Sequence, residues 1–366
     1  MSQVPFSFQT EGIKYAGSKL KILPYIMDIC RELGTIRTVL DGFSGTTRVA
    51  QAFAQQGYRV TANDISDWSE IFATCYLKAN KPISYYQQIL DHLNSLKGYD
   101  GWFSEHYGGT ENMPKKPFQL KNTRKLDAIR DEIEKLGLSF EDKSVILTSL
   151  ILALDEVDST LGHYVSYLSK WSARSFKDLF LKMPQKFPLT QNHQVSRGDI
   201  FSLLPLQQWD LAYFDPPYGS NNEKMPSSRV RYNAYYHFWT TVIRHDKPTL
   251  FGKANRRIDS RDLNNPSVFE SYLQEEGRFV ALTSLDRLIA NTSARYILLS
   301  YSSGGRVSQK ELLDLLDCHG QIKKILEIDY KRNIMAQMRY TNQWVKTLEP
   351  KKHFEYLFLL EKESIS

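Results

Sequence analysis

The chain has 366 residues, 42% of them apolar and 24% charged, which is typical of a globular protein with one large domain or two. Its three cysteines (Cys30, Cys75 and Cys318) form neither a disulfide framework nor a metal-ligand spacing, and no His/Cys/Asp cluster indicates a metal. The N-terminus lacks the pattern of a signal peptide, and the longest apolar run, residues 145–154, is too short to span a bilayer. We therefore expect a cytoplasmic protein without bound metal or a membrane segment.

The net charge of +6 is concentrated in one part of the chain. Between residues 224 and 261, nine basic residues face only Asp246 and Asp259, a local excess of +7. Such an excess suits a surface that follows nucleic-acid phosphates, although a solvated basic face gives the same pattern. The nine residues are Lys224, Arg229, Arg231, Arg244, Lys247, Lys253, Arg256, Arg257 and Arg261.

The first predicted elements are those of a parallel α/β sheet. A short strand from Val39 runs into the glycine turn Asp41-Gly42-Phe43-Ser44-Gly45-Thr46, apolar residues at helical spacing follow as far as Gly57, and a second strand ends at Asn63-Asp64. Glycine allows the backbone to approach a ligand closely. An acidic residue about twenty positions after such a turn is placed to bind ribose hydroxyls. The turn and Asp64 therefore predict a nucleotide-like ligand.

The pattern changes near residue 78. The spacing predicts a helix that Asn122 caps and Gly137 ends, and a more buried helix over residues 140–154. Residues 159–171 and 175–183 are expected to be helical or irregular. We predict that residues 78–190 form a mainly helical insertion that recognises the target. Residues 1–77 and 191–366 would form the catalytic domain.

Strand signals return in the second half of the chain. They cover residues 193–195, 198–200, 209–214, 249–251, 296–301, 322–330 and 356–360, with a short amphipathic helix over residues 311–316. Together with the first strands, they predict an α/β fold with a mixed, mostly parallel sheet.

The most specific motif is Asp215-Pro216-Pro217-Tyr218, which follows a predicted buried strand. Prolines fix φ and lack an N–H, so their carbonyls are available as acceptors. The Asp215 carboxylate and the Pro216 carbonyl can accept both hydrogens of an exocyclic amine, which localises the nitrogen lone pair for attack on a methyl group. Tyr218 offers a flat face for a base rotated out of its helix. The motif therefore predicts a site for an amine on a base.

The segments Tyr15-Ala16-Gly17-Ser18-Lys19, Phe43-Ser44-Gly45, Asn63-Asp64 and Asp215-Pro216-Pro217-Tyr218 occur in this order. In this respect the chain resembles the DNA adenine-N6 methyltransferases of the DNA adenine methylase type, whose cofactor motifs precede the catalytic one. Three later segments, Tyr232–Trp239, Ser300–Ser302 and Tyr330–Arg332, resemble those of restriction–modification members. The resemblance implies a Rossmann-like fold that uses S-adenosylmethionine and releases S-adenosylhomocysteine.

The resemblance also implies residue roles. Tyr15 and Lys19 would contact the methionine end of the cofactor, Asp64 the ribose, and Asp199 with Ile200 the adenine ring. The cofactor turn would include Asp41, Phe43 and Gly45, and Asp215 would lie between cofactor and target base. Three departures stand out, because the family often has Trp where this chain has Tyr15, and Gly where it has Ser18 and Thr47. Arg229, Arg231, Tyr232, Lys331 and Arg332 are the predicted DNA contacts.

The sequence therefore predicts an enzyme that methylates adenine N6 in duplex DNA by base flipping and direct in-line transfer. A restriction–modification setting in a bacterial cytoplasm, near the nucleoid, is expected, with a cognate endonuclease or a second methyltransferase as possible partners. Methylation of cytosine N4 or of adenine in RNA stays open, since the same acceptor pair serves any exocyclic amine. So do a catalytically silent DNA-binding protein of the same fold and, more distantly, a dinucleotide oxidoreductase.

Overall fold

A computed structural model describes residues 9–113, 116–221, 231–261, 267–275, 277–329 and 354–362. Its helices are α1 (Leu23–Leu33), α2 (Arg48–Gln55), α3 (Asp67–Leu77), α4 (Ile83–Ser95), α5 (Trp102–Tyr107), α6 (Leu120–Lys135), α7 (Phe140–Val157), α8 (Ile200–Leu203), α9 (Tyr232–Tyr235), α10 (His237–Arg244), α11 (Val280–Asn291) and α12 (Gln309–Asp317). Within these ranges, no helix has the length and apolar character needed to cross a membrane.

The longer strands are β1 (Thr38–Asp41), β2 (Arg59–Asp64), β5 (Gln194–Arg197), β6 (Trp209–Phe214), β11 (Ala294–Ser302), β12 (Gly320–Asp329) and β13 (Phe354–Lys362). Two-residue strands are β3 (Gly108–Gly109), β4 (Phe118–Gln119), β7 (Leu250–Phe251), β8 (Arg256–Arg257), β9 (Gln274–Glu275) and β10 (Arg278–Phe279). Short 3₁₀ helices span Lys19–Lys21, Ala173–Phe176, Leu204–Leu206, Ile258–Ser260 and Val268–Glu270.

The chain divides into two compact units. Unit 1 contains Met1–Glu32, Phe43–Ile200 and Arg231–Asn265. In it, β2 and β5 pair in parallel, and α3 packs against α7 and α10. One large apolar core joins these helices with α4, α5 and α6. The helices of residues 78–190 thus share their core with α3 and α10, and a role for this segment in DNA recognition stays a prediction.

Unit 2 contains Leu33–Gly42, Phe201–Val230 and Pro266–Ser366. Its strands follow the order β12-β13-β11-β6-β1. The pairs β1–β6 and β6–β11 are parallel, whereas β13 runs antiparallel to both β11 and β12. The predicted α/β fold with a mixed, mostly parallel sheet is confirmed.

The register between β1 and β6 is fixed by side chains at the start of both strands. Asp210 Oδ2 accepts the backbone N–H groups of Arg37 at 2.8 Å and Thr38 at 2.7 Å. The Thr38 hydroxyl donates to the same oxygen at 3.0 Å and accepts the Asp210 N–H at 2.9 Å. These bonds hold the pKa of Asp210 below its usual value despite partial burial, which opposes them. A slip by one residue would break them all and turn every side chain of the slipped strand to the opposite face.

Two local predictions were wrong. Asn122 does not cap a helix, because α6 begins at Leu120 and the Asn122 side chain instead bonds Lys177 O and Leu179 N at 2.9 Å each. Residues 198–200 do not form a strand, because β5 ends at Arg197 and α8 begins at Ile200. Both segments are fixed by contacts distant in sequence, which local patterns do not contain.

Candidate active site

The segment before the first motif has no regular secondary structure, yet side chains of unit 1 hold it at several points. Gln51 on α2 accepts the Glu11 N–H and donates to the Glu11 carbonyl, both at 3.0 Å. The Tyr76 hydroxyl donates to the Glu11 carboxylate at 2.8 Å, and Arg48 donates to the Gly12 carbonyl at 3.0 Å. These bonds replace the backbone pairing that the segment lacks.

Lys14 continues this anchoring towards the first motif. Its N–H donates to Asp155 Oδ2 at 3.1 Å, and its ammonium donates to the fully buried Asp158 at 3.1 Å. Arg174 binds the same Asp158 oxygen at 2.7 Å. Burial raises the pKa of Asp155 to about 6, with Lys14 opposing the shift. Residue 14 is therefore tied to the end of α7 by buried charges.

Tyr15 lies in an aromatic stack. Its ring centroid is 4.6 Å from that of Tyr236, with an interplanar angle of 18°, and 5.3 Å from that of Tyr232. The Tyr236 hydroxyl accepts the Ala16 N–H at 2.7 Å, and the Tyr232 hydroxyl donates to the Ala16 carbonyl at 3.3 Å. Burial raises the pKa of Tyr15 well above its usual value. The two tyrosines therefore fix both the ring and the backbone of the first motif.

The glycine turn is joined to the end of β2. Gly45 has φ +51°, and its N–H donates to Asp64 Oδ2 at 2.9 Å. The other Asp64 oxygen accepts the N–H and the hydroxyl of Ser66 at 2.9 and 2.7 Å. A Cβ at residue 45 would lie 3.2 Å from Tyr15 Cε1. Only glycine therefore lets turn and aromatic ring approach this closely.

Thr47 occupies a position where the family often has glycine, and its conformation shows why. Its φ of 62° and ψ of 11° are left-handed, although threonine is β-branched and this side chain is fully buried. Its N–H donates to the Ser44 carbonyl at 2.6 Å, and its hydroxyl accepts from Gln51 at 3.1 Å. These bonds offset the strain, so Thr47 adopts the left-handed backbone conformation that glycine would adopt more easily at this position.

The predicted cofactor residues of unit 1 cluster around this turn. Lys19 is buried at the start of its 3₁₀ helix, and Phe43 is half-buried at the start of the turn. The Gly198 N–H donates to the Asp64 carbonyl at 3.0 Å, which brings exposed Asp199 and buried Ile200 to the carboxyl end of β2.

Ile65 was not singled out from the sequence. It directly follows Asp64, and its side chain is 77% exposed. Its position beside the Asp64 carboxylate makes it a candidate to contact the same ligand.

The predicted catalytic loop belongs to unit 2 and follows β6. Asp41 of β1 lies opposite Tyr213 of β6, and the Gly42 N–H donates to the Tyr213 carbonyl at 3.0 Å. The carboxyl ends of two neighbouring parallel strands therefore carry Asp41 and, two residues beyond Tyr213, Asp215. Asp41 is buried and Asp215 half-buried. In open α/β sheets, ligands bind at the carboxyl ends of the parallel strands.

Tyr218 closes the loop and is held on several sides. Its carbonyl accepts the Arg306 N–H at 2.6 Å and the Tyr301 hydroxyl at 3.4 Å. Its ring meets that of Tyr301 edge-on, with centroids 5.2 Å apart. A Cβ at Gly305 would lie 2.9 Å from Tyr218 Cβ and 2.4 Å from Tyr301 Cε1. The turn after β11 therefore fits against the catalytic loop.

Of the predicted DNA contacts, Arg229, Lys331 and Arg332 lie outside the described residues. Arg231 is half-buried before α9, and Tyr232 supports the Tyr15 stack; whether either reaches DNA stays a prediction. Two arginines of the basic stretch form ion pairs within unit 1: Arg257 with Asp246 (2.7 Å) and Asp259 (2.8 Å), and Arg244 with Asp67 (3.0 Å).

The aromatic residues of the Tyr232–Trp239 segment lie mostly in the core. Tyr236, Phe238 and Trp239 are almost fully buried. Among the residues that the structure describes, no group of three or more His, Cys, Asp or Glu side chains is arranged to hold a metal ion.

The α/β fold, the glycine turn tied to Asp64 and the Asp-Pro-Pro-Tyr loop after β6 are features of the S-adenosylmethionine-dependent methyltransferase fold class. A family model, that of the D12 class N6 adenine-specific DNA methyltransferases, matches residues 15–310. The match covers most of the chain and contains all four motifs, so the chain belongs to this family.

Individual relatives are modification methylases. Modification methylase StsI of Streptococcus sanguinis is 29% identical over 320 residues, which are 83% of this chain and 46% of StsI. The chain thus spans about half the length of that relative. Type II methyltransferase M.NlaIII of Neisseria lactamica is 25% identical over 96% of this chain and 99% of its own length.

Among solved structures, a class I S-adenosylmethionine-dependent methyltransferase of Listeria monocytogenes aligns with 94% of this chain and 60% of its own. The TM-score is 0.36 and the identity 8%, a likeness too weak to bear on function.

Proposed function

We propose that the chain transfers a methyl group from S-adenosylmethionine to N6 of adenine in duplex DNA. The observation that carries the proposal is Asp215-Pro216-Pro217-Tyr218 at the carboxyl end of a buried parallel strand, within a chain of the adenine-specific family. At the carboxyl end of β6, the Asp215 carboxylate and the Pro216 carbonyl are two acceptors suited to an exocyclic amine, and the Tyr218 ring is a flat face suited to its base.

The residues of unit 1 fit the cofactor. Gly45 leaves room that a Cβ would fill, and the half-buried Asp64 carboxylate has acceptor capacity beyond its bonds to Gly45 and Ser66. Tyr15, Lys19 and Phe43 would hold the methionine end, Asp64 the ribose, and Ile65 with Asp199 and Ile200 the adenine ring. When bound, the cofactor supplies an electrophilic methyl group. The chain's part is to bind, orient and exclude water.

The chemical role of the catalytic loop follows from its acceptors. An aniline-like amine is a weak nucleophile because its lone pair is delocalised into the purine ring. The Asp215 carboxylate and the Pro216 carbonyl would accept its two hydrogens, which localises the lone pair, and Tyr218 would stack on the base. The acceleration would come from these two fixed acceptors, which stabilise the positive charge that develops on the amine, and from alignment of the amine nitrogen with the methyl group. The Asp215 carboxylate would also accept the proton that the methylated amine releases.

DNA is the proposed source of the base. Flipping brings an adenine to the loop, and the helical residues 78–190 with the basic stretch 231–261 are the proposed duplex contacts. The modification methylases among the relatives favour a bacterial restriction–modification setting, with a cognate endonuclease or second methyltransferase as partner and the cytoplasm near the nucleoid as location.

The proposal is tested by incubating the purified chain with tritiated S-adenosylmethionine and unmodified bacterial DNA. We expect label in N6-methyladenine after digestion to nucleosides. Asp215→Ala should abolish labelling while the melting temperature and cofactor binding persist. Asp317→Ala, an exposed carboxylate on α12, is the matched control and should retain activity.

Each alternative has its own outcome. Label in N4-methylcytosine, or only in RNA, would replace the proposed substrate. Cofactor binding without any transfer would indicate a silent DNA-binding protein, and retained activity of Asp215→Ala would remove this residue from the mechanism. Long-read mapping of methylated positions in cells that express only this chain would identify the recognition sequence.

A further inference from the structure

The hydroxyl of Tyr218 points to a buried carboxylate from the far end of the chain. Tyr218 Oη lies 3.4 Å from Glu355 Oε1, and Ser300 Oγ donates to the same oxygen at 2.9 Å. Glu355 belongs to β13 and is 6% exposed. Burying a carboxylate is unfavourable unless hydrogen bonds compensate for the lost water. Two hydroxyl donors on one oxygen supply part of that compensation.

The rest of Tyr218 is fixed independently of this carboxylate. Its carbonyl is bound by Arg306 N at 2.6 Å, and Gly305 lies against its Cβ. The Tyr301 ring packs edge-on against its own ring. The backbone contacts and the hydroxyl contact fix the Cβ–Oη axis of Tyr218, and the edge-on Tyr301 ring limits rotation of the ring about that axis.

We propose that Glu355 is a positioning residue for the target base and acts through Tyr218. The Glu355–Ser300 pair holds the Tyr218 hydroxyl and so fixes the direction of the ring on which the base stacks, while Tyr301 restricts its rotation. This inference rests on the proposed function and adds a residue to its site. When the Tyr218 hydroxyl donates a hydrogen bond to the Glu355 carboxylate, the phenol ring also becomes richer in electrons. Such a ring stabilises the positive charge that develops on the amine.

The first test is Glu355→Gln, which keeps the side-chain volume and an acceptor oxygen but removes the charge. The rate of methyl transfer in a single turnover, at saturating cofactor and DNA, should fall about tenfold. The Kd for S-adenosylmethionine and the melting temperature should stay near wild type. Glu361→Gln is the matched control on the same strand, because Glu361 forms exposed ion pairs with Arg295 (2.9 Å) and Lys323 (3.3 Å). Its rate should change less than about twofold.

The decisive readout is the dependence on Tyr218. In a Tyr218→Phe background, where no hydroxyl remains to be held, Glu355→Gln should change the transfer rate less than about twofold. A merely structural role would lower the rate equally in both backgrounds, and that result would overturn the proposal. So would a wild-type rate for Glu355→Gln alone.

A second variant covers the case in which Glu355→Gln does not fold. Ser300→Ala removes the other donor to Glu355 Oε1, and its slower transfer, about threefold, should likewise vanish in the Tyr218→Phe background. Equal losses in both backgrounds again contradict the proposal. If the wild-type chain labels no adenine, the proposed function itself fails, which is distinct from labelling that is insensitive to Glu355.

Discussion

Replacing Gly45 by alanine separates backbone strain from the geometry of the cofactor turn. Gly45 has φ +51°, a conformation that costs an L-residue about 1–2 kcal/mol. The new Cβ would also lie 3.2 Å from Tyr15 Cε1, so the Tyr15 ring must shift by a few tenths of an ångström within its stack with Tyr236. Stacking of such a pair contributes about 0.5–1.5 kcal/mol beyond area burial. The strain lowers folding stability, whereas the displaced ring lowers cofactor affinity.

Gly57 provides the matched control for this prediction. It has φ +84°, in the turn after α2, and an added Cβ there would meet no atom within 4 Å. Gly57→Ala should therefore lower the free energy of unfolding by about 1–2 kcal/mol and leave cofactor affinity unchanged. Gly45→Ala should show a similar loss of stability and about tenfold weaker binding, which corresponds to about 1.4 kcal/mol.

The assay is a calorimetric titration with S-adenosylmethionine, combined with urea unfolding of both variants. Equal cofactor affinities for Gly45→Ala and Gly57→Ala would refute the reasoning, since the contact with Tyr15 would then not affect the site. Weaker cofactor binding by Gly57→Ala would show that backbone strain in unit 1 lowers cofactor affinity even without a contact to Tyr15.

Three further predictions concern the neighbouring contacts. Tyr236→Phe removes the acceptor of the Ala16 N–H, and calorimetry should show about fivefold weaker cofactor binding. Burial lowers the pKa of His237 to about 4, so its contribution to stability is present above pH 6.5 and is lost, by up to about 3 kcal/mol, as the pH falls towards 4. Urea unfolding of His237→Gln across this range should show a flatter pH dependence. Gly305→Ala should displace Tyr218 and reduce single-turnover transfer more than about tenfold without changing cofactor affinity.

Each of these has a contrary result. Wild-type cofactor affinity of Tyr236→Phe would mean that the first motif keeps its position without the hydroxyl. An unchanged acid dependence of His237→Gln would assign the pH effect to another group. A wild-type rate of methyl transfer for Gly305→Ala would show that the turn after β11 adjusts to the added methyl group without displacing Tyr218.

Local sequence was sufficient to predict the strands that precede the glycine turn and the Asp215–Tyr218 loop. Apolar runs predicted the buried strands β1, β6 and β11, because residues buried on both faces of a parallel strand must nearly all be apolar. The order of the motifs then indicated the cofactor turn, Asp64 and the Asp215–Tyr218 loop. Predictions failed where a polar residue has several possible partners: Asn122 suits a helix cap by type but bonds a distant loop.

Charge counting along the chain showed the same limit. The basic stretch gave a local excess of +7, in which Asp246 and Asp259 are already subtracted; both of these acids pair with the buried Arg257, and Arg244 pairs with Asp67 from outside the stretch. Composition counts charges, whereas exposure and pairing decide whether they can meet phosphates. The excess therefore includes Arg257 and Arg244, whose charges are already paired with carboxylates.

By itself, the sequence determined the fold class, the motif order and the residues whose types carry the chemistry. These depend on periodicity and on short spacings, which are local properties. Only the tertiary structure decided how those residues are held: Thr47 in a glycine conformation, Tyr15 between Tyr232 and Tyr236, and Tyr218 against Glu355. Tyr218 and Glu355 are 137 residues apart, and such a contact depends on sheet register and packing. No local pattern contains that information.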